Sequence, residues 1–339
     1  MFFSYVKPWL CNIDGKSMED NLEPPTFQDV LAAHRRIQRY LPPTPLIRPI
    51  GFAEKLGVDA YLKLENLQPI GAFKVRGGIN LLSKLNRDEN PKGVITASTG
   101  NHGQSIAYAG KIFDFPVTIL APRNSNPLKV KAMENLGAKV ILYGKDFDEA
   151  RLKAEQLAEE GYRYVHSANE PLLIAGVGTE MLEILEAVPD IDTIIVPIGG
   201  GSGACGACIV AKAVNPKIRV IGVQSEGAPS VYLSWKNKRL MQTSSANTFA
   251  EGLATRYAFE LPFRILSELI DNIMLVSDDE IKAAIRFLFE NARLVVEAAG
   301  AASTAAALKL RKELKGRKVA LLVTGGNITP ENFRKIVCA

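Results

Sequence analysis

The chain has 339 residues, 47% hydrophobic and 23% charged, with 41 basic against 36 acidic side chains and a net charge of +5. This is the composition of a soluble globular protein of one large or two smaller domains, and it argues against long disorder. The basic clusters at His34–Arg39 and Lys309–Lys318 fall in helix-periodic segments, so they read as solvated helix faces, and nucleic acid is not an expected partner.

The first residues lack the long apolar run of a signal peptide, and no stretch reaches membrane-span length, so no membrane association is expected. Residues 1–25 read as a terminal extension of the kind in which disorder concentrates. Four cysteines do not build a disulfide framework, and a reducing, cytoplasmic setting fits them. From Thr26, a candidate N-cap, "FQDVLAAHRRIQRYL" has helical periodicity, and "PPTPLIRP" follows as an extended connector. A short helix "FAEKLG" stops at Gly57, then comes a strand "DAYLKLE" and the segment "NLQPIGAFKVRGG". In that segment Lys74 stands among glycines. A flat ligand can approach an amine so placed, and partial desolvation makes it a nucleophile or base; a surface lysine at a helix start is the plainer reading.

From Lys92 to Asn169 strands alternate with helices: "GVITAS", "NHGQSIAYAGKIF", "PVTILAP", "NPLKVKAMENLG", "AKVILYG", "DFDEARLKAEQLAEEG", "YRYVHS". This predicts right-handed βαβ units and a parallel sheet, a small α/β domain over 92–169. Residues 1–91 and 170–339 make a larger α/β domain. There, helix "AGVGTEMLEILEAV" precedes strand "DTIIVPI", turn "GGGSG" and helix "ACGACIVAKAV", in which Cys205 and Cys208 read as small buried residues. Strand "IRVIGVQ", a loop-rich region to about Arg256, strand "NIMLVS", two helices and strand "KVALLVTGG" complete it.

Four stretches carry chemistry. "PIGGGSGACG" ends a strand in bare glycines and opens a helix, which makes Gly199, Gly200, Gly201, Ser202 and Gly203 a phosphate site. It also satisfies G-x-G-x-x-G at Gly201, Gly203 and Gly206, with Glu226 about 20 residues on, so a nicotinamide-dependent dehydrogenase is one reading. "STGNH", Ser98, Thr99, Gly100, Asn101 and His102, lies at a strand end and offers donors suited to a carboxylate, with helix capping by Ser98 or Asn101 as the bland alternative. "LLVTGG" points the Thr324 hydroxyl over a strand end, and Glu297, Glu251 and Gly252 stand before small-residue turns. Serine-hydrolase, zincin and Walker A patterns are missing.

With the lysine segment, the Asn-His turn and the tri-glycine loop together, the chain from about Phe27 to Thr329 resembles the fold type II pyridoxal-phosphate enzymes, and within them the threonine/serine dehydratase and serine racemase family. The resemblance implies a two-domain α/β fold like the tryptophan synthase β chain, with open, mostly parallel sheets flanked by helices, and pyridoxal 5′-phosphate as cofactor. It implies Lys74 as the Schiff-base lysine and α-proton base, Phe73 beside the ring, Asn101 on the ring hydroxyl and the loop Gly199–Gly203 around the phosphate. Thr324 would face the pyridine nitrogen, Gly252 and Glu297 would flank the ring, and Ser98, Thr99, Gly100, Asn101 and His102 would hold the substrate carboxylate. The expected reaction eliminates water from L-threonine, L-serine or a related β-hydroxy amino acid, giving a 2-oxo acid and ammonia, in a homodimer or higher homo-oligomer.

Departures qualify it. The family usually has Ser at Thr324. At Thr99 its dehydratases tend to have Ala and its racemases Ser, so Thr99 keeps a serine racemase as the alternative. The racemases' divalent-cation site should fall between Gln224 and Ser230, where Gln224 and Ser230 replace carboxylates, so no metal is expected. "GQGT" reads "GVGT" at Val177, and with the chain ending soon after Asn327 a regulatory domain is not expected. Cysteine synthases, with Thr where His102 stands, fit less well. A non-catalytic amino-acid-binding protein is the third reading.

Overall fold

A computed structural model describes residues 22–338. The extension expected over residues 1–25 falls, up to residue 21, outside the described residues. Among them no helix is long and apolar enough to cross a membrane, and no group of three or more His, Cys, Asp or Glu is placed to hold a metal ion.

The larger sheet has six strands in the order β1 (Leu46–Ile47), β2 (Asp59–Leu64), β10 (Lys318–Val323), β7 (Thr193–Pro197), β8 (Arg219–Ser225) and β9 (Asn272–Val276). All its pairings are parallel except β1 with β2, where Leu46 faces Lys63. The smaller sheet is parallel throughout, in the order β5 (Lys139–Leu142), β4 (Val117–Ala121), β3 (Val94–Ala97) and β6 (Arg163–Tyr164).

The runs "KVALLV" and "TIIVP" show why these strands are central. In β10, Val319, Leu321 and Val323 enter one core while Ala320 and Leu322 enter the other, so both faces are apolar and both are covered. One cover comprises α1 (Phe27–Ile37), α3 (Val75–Leu82), α7 (Pro171–Ala187), α8 (Ser202–Val214) and α10 (Glu260–Leu269). The other comprises α2 (Ile50–Leu56), α11 (Asp278–Ala292), α12 (Ala298–Leu310) and α13 (Pro330–Val337). Around the smaller sheet lie α4 (Asn101–Phe113), α5 (Pro127–Asn135) and α6 (Phe147–Ala158). Local signals set the ends: Thr26 and Asp29 form the capping box of α1, and α2 stops at Gly57, whose φ is +75°.

Some elements differ from expectation. Leu46 and Ile47 leave the proline connector to pair with β2, and β6 ends after two residues because the chain turns onto His166, whose Nδ1 accepts from the Ala168 and Asn169 N–H groups. The loop-rich region holds α9 (Ser230–Asn237), capped by the Gln224 side chain, which accepts from the Val231 and Tyr232 N–H groups. Gly206 of the dinucleotide-like pattern packs against Gly178, where a Cβ would stand 2.7 Å from the Gly178 Cα; it serves the close crossing of α7 and α8.

Beneath α3 lies a buried ionic cluster. Arg76, 1% exposed, donates to Glu65 at 2.8 Å through both Nε and Nη2 and to Glu183 at 2.6 and 2.8 Å, while Lys63 Nζ reaches Glu183 at 2.5 Å. Burial works against the Glu65 charge, yet Arg76 holds its pKa below the usual carboxylate value. Glu180, 1% exposed, finds no partner for either carboxylate oxygen among the described residues. Burial first, and then the Glu65 charge, push its pKa well up from the usual carboxylate value.

Candidate active site

The two sheets meet at a cavity of about 660 Å³, lined by strand ends and the helix starts that follow them. Lys74 stands at the N-cap of α3. Its carbonyl accepts from Ser105 Oγ at 2.6 Å, and Gly78 makes room for that crossing, since a Cβ there would lie 2.4 Å from Ser105 Oγ. The Lys74 Nζ donates to Ser202 Oγ at 2.7 Å and lies 5.1 Å from the centre of the Phe73 ring. Burial lowers its pKa to about 8, against the opposing pull of Glu180 and Cys205. The amine therefore loses its proton two orders of magnitude more readily than a free lysine, roughly.

Ser202 opens α8 directly after the tri-glycine turn, where Gly201 has φ +102°. Among the described residues, none of the backbone N–H groups from Gly199 to Gly203 has an acceptor. Five bare donors at a helix N-terminus make an anion cradle. The cradle tolerates no side chain at Gly199, where a Cβ would stand 2.1 Å from the Gly252 carbonyl oxygen, nor freely at Gly203, 3.1 Å from the Phe73 ring. Gly199→Ala is expected to displace the loop and weaken binding of a phosphate-bearing ligand about 10- to 100-fold, the cost of overpacking against backbone, measured by titration of cofactor-stripped protein.

At the end of β3, Ser98 Oγ accepts from the Gly100 and Gly103 N–H groups at 3.0 and 2.8 Å. Ser98 thus spends its acceptor on the start of α4, although the N-cap of that helix is Gly100 and neither Ser98 nor Asn101. The N–H groups of Asn101 and His102 have no acceptor among the described residues and stay free for a carboxylate. His102 Nε2 lies 2.9 Å from Thr96 Oγ1, which spends its proton on the Val165 carbonyl, so the imidazole carries its hydrogen on Nε2. Burial, then the Lys74 charge, lower its pKa to about 3, so it stays neutral. Thr99, Gly100 and Thr324 line the same cavity, and the Thr324 carbonyl accepts from Phe73 N at 3.0 Å.

Glu297 stands at the N-cap of α12 without capping it. Its Oε1 instead accepts from Asn101 Nδ2 at 2.6 Å, through a gap left by Gly325, whose Cβ would stand 2.2 Å from that oxygen. Burial raises the Glu297 pKa, opposed by Lys129 3.9 Å away and by the Asn101 bond.

Several contributors escaped the sequence reading. Lys129 binds Glu251 at 2.5 Å, and Arg256 binds Asp148 at 2.8 Å, each pair spanning from one sheet's helices to the other's loops across the cavity. A lysine in the first turn of α5 is unfavourable to the helix dipole, which is the one signal that could have flagged Lys129. Asn124, Lys145 and Asp146 also line the cavity, alongside Ser244–Ala246 and Thr248 from the loop-rich region before Arg256. Glu226 does not: it faces solvent 3.8 Å from Lys309, which deprives the dehydrogenase reading of its acidic residue at the glycine loop.

The lysine, the N–H groups of the glycine turn that have no acceptor among the described residues and the neutral hydroxyl at Thr324 suit a flat, phosphorylated aldehyde. Comparison with known proteins agrees. Residues 37–325 match the model of a family described as pyridoxal-phosphate dependent enzymes. The chain is 40% identical over 313 residues to L-threonine ammonia-lyase of Thermotoga maritima, covering 92% of this chain and 78% of that one. It is 35% identical to L-threo-3-hydroxyaspartate ammonia-lyase of Saccharomyces cerevisiae, covering 92% and 96% of the two chains. The structure of maize serine racemase superposes with a TM-score of 0.87 at 32% identity, covering 92% of this chain and 98% of the other. The chain belongs to the pyridoxal-phosphate dependent enzymes, with the α/β architecture of their fold type II and pyridoxal phosphate as its cofactor.

Proposed function

We propose that the protein eliminates water from L-threonine, L-serine or a related β-hydroxy amino acid, releasing a 2-oxo acid and ammonia. The observation that carries this reading is the Lys74 amine, lowered to about 8 by burial and held by Ser202 beside the phosphate cradle. When bound, the cofactor supplies an aldehyde that takes up amines and a ring that delocalises the electron pair left at Cα. The chain's residues do the rest. The bare N–H groups of Gly199–Gly203 would bind the phosphate, and Phe73, Gly252 and Glu297 would surround the ring. Asn101 would donate to the ring oxygen. Thr324 would present a neutral hydroxyl to the pyridine nitrogen, which would not hold that nitrogen protonated as a carboxylate would. The N–H groups of Asn101 and His102, with Ser98, Thr99 and Gly100 around them, hold the substrate carboxylate. Lys74 removes the α-proton, the β-hydroxyl takes up one proton and departs as water, so that H and OH are lost in net, and the released enamine takes up water to give the oxo acid and ammonia.

Relatives named L-threonine ammonia-lyase support this reading. The Thr99 hydroxyl at the cavity wall supports racemisation as a second activity, through proton return to the opposite face of Cα. Ammonia and oxo-acid release, with chiral analysis of recovered substrate, across L- and D-threonine, L- and D-serine and 3-hydroxyaspartate tests both. L-Threonine and L-serine should release ammonia. No release from any of them by cofactor-loaded protein would leave an amino-acid-binding protein as the better account. We take the enzyme to be a cytoplasmic homodimer of two-domain subunits, the small domain being 92–169; light scattering of the purified protein checks the dimer.

A further inference from the structure

Asn327, three residues beyond Thr324, has no part in the reaction as proposed, yet it sits at the junction of three site loops. Its Nδ2 donates to the Ile70 carbonyl at 2.9 Å and to Asn101 Oδ1 at 2.8 Å. Asn101 Nδ2 in turn donates to Glu297 Oε1 at 2.6 Å. The direction of this chain is set at one end. A backbone carbonyl only accepts, so the Ile70 contact obliges Asn327 to turn its NH2 that way, and both hydrogens of that NH2 are then spent. Asn101 must present its oxygen to Asn327, which leaves its own NH2 for Glu297 and for the cavity.

The surroundings are shaped to this amide. Gly71, with φ +67°, lies so close that a Cβ would stand 2.7 Å from Asn327 Oδ1. Gly326 N donates to the Gly71 carbonyl at 2.9 Å, and Phe73 N to the Thr324 carbonyl at 3.0 Å, so the loop that carries Lys74 is stitched to the end of β10. Glu297 alone does not secure the orientation of Asn101. A carboxyl buried beside Glu251 and Lys129 offers an oxygen when charged and an O–H when protonated, and the second form would accept either face of the amide. The Ile70 carbonyl has no such freedom.

We infer that Asn327 is a positioning residue that locks the Asn101 amide so that an N–H, and not the carbonyl oxygen, faces the cofactor's ring oxygen. The inference rests on the assignment of Asn101 to that oxygen. It predicts that Asn327 acts only through Asn101, which a double-mutant cycle reads directly.

The experiment compares wild type, Asn327→Ala, Asn101→Ala and the double variant, all loaded with pyridoxal phosphate. It follows the position and pH midpoint of the visible absorption band, and the affinity for the cofactor in titrations of stripped protein. Asn327→Ala should move the band and weaken binding about tenfold, the effect of one lost charge-directing hydrogen bond. In the Asn101→Ala background the same substitution should change nothing further. Additive effects, or an unmoved band in Asn327→Ala where Asn101→Ala moves it, overturn the inference alone. An unmoved band in Asn101→Ala overturns the assignment of Asn101, and the inference with it. Should Asn327→Ala not fold, Asn327→Asp keeps the shape and removes the donor; the same loss is expected there, and wild-type behaviour refutes the role.

Discussion

Lys74→Ala is expected to abolish turnover, by at least about 1,000-fold, while the protein stays folded. The expectation follows from the commitments of its neighbours: among the lysines lining the cavity, Lys129 is paired with Glu251 and Lys145 with Glu149. The neighbouring His102 is neutral and committed to Thr96, and the partner of the Ser202 hydroxyl is the lysine itself. Turnover assays on the variant, with a circular-dichroism check of its fold, decide the matter; substantial remaining activity would remove Lys74 from the mechanism. The same variant carries a pH signature. Burial lowers the lysine from 10.5 to about 8, so the unfolded chain binds that proton more tightly than the folded one. The native state is penalised in full below pH about 8, and the penalty fades as pH rises to 10.5, where both states are neutral. Relative to Lys74→Ala, the cofactor-free wild type should therefore gain stability across that window, by up to about 3 kcal/mol. Denaturant melts at both ends of the window measure it, and a flat difference would mean that the amine is not desolvated.

Arg76→Met should be the most destabilising single change near the site, costing about 3–5 kcal/mol, the usual cost of leaving a buried ion without its partner. Arg76 is the hinge of the buried cluster, bonded to Glu65, Glu183 and Thr179. Without it, Glu65 and Glu183 share only Lys63, and Glu180 nearby offers no positive charge. Thermal melts should fall by on the order of 10 °C. Adding Glu65→Gln should return part of the loss, because it removes the charge that Arg76 had balanced. The cluster also sets acid sensitivity. The folded pKa of Glu65 is lowered from 4.5, so its contribution is present above that value and is lost as pH falls through the folded pKa. Arg76→Met should lose that acid-side dependence, and an unchanged acid limb would contradict the arrangement.

Gly199→Ala probes the cradle and Asn327→Ala the orientation of Asn101. Together with Lys74 and Arg76 they separate chemistry, support and cofactor binding.

What the chain alone determined is what is local. The alternation of β-branched runs with helices fixed the parallel sheets, because buried strands must be apolar on both faces, as Val319–Val323 is. Lys74, the turn at Gly199–Gly203 and the Asn101 turn each lie at a strand-to-helix junction, where a glycine or a free N–H is readable within ten residues or so. Tertiary structure decided which partners these groups meet. Asn101 finds Glu297 and Asn327 across 196 and 226 residues, and Lys129 finds Glu251 across 122. No local pattern marks such pairs, since a side-chain hydrogen bond imposes a donor and an acceptor but no spacing along the chain. Ser202 shows the same division within one residue. Its place in the phosphate turn could be read from its neighbours, whereas its bond to Lys74, 128 residues away, needed the two sheets to be folded against each other.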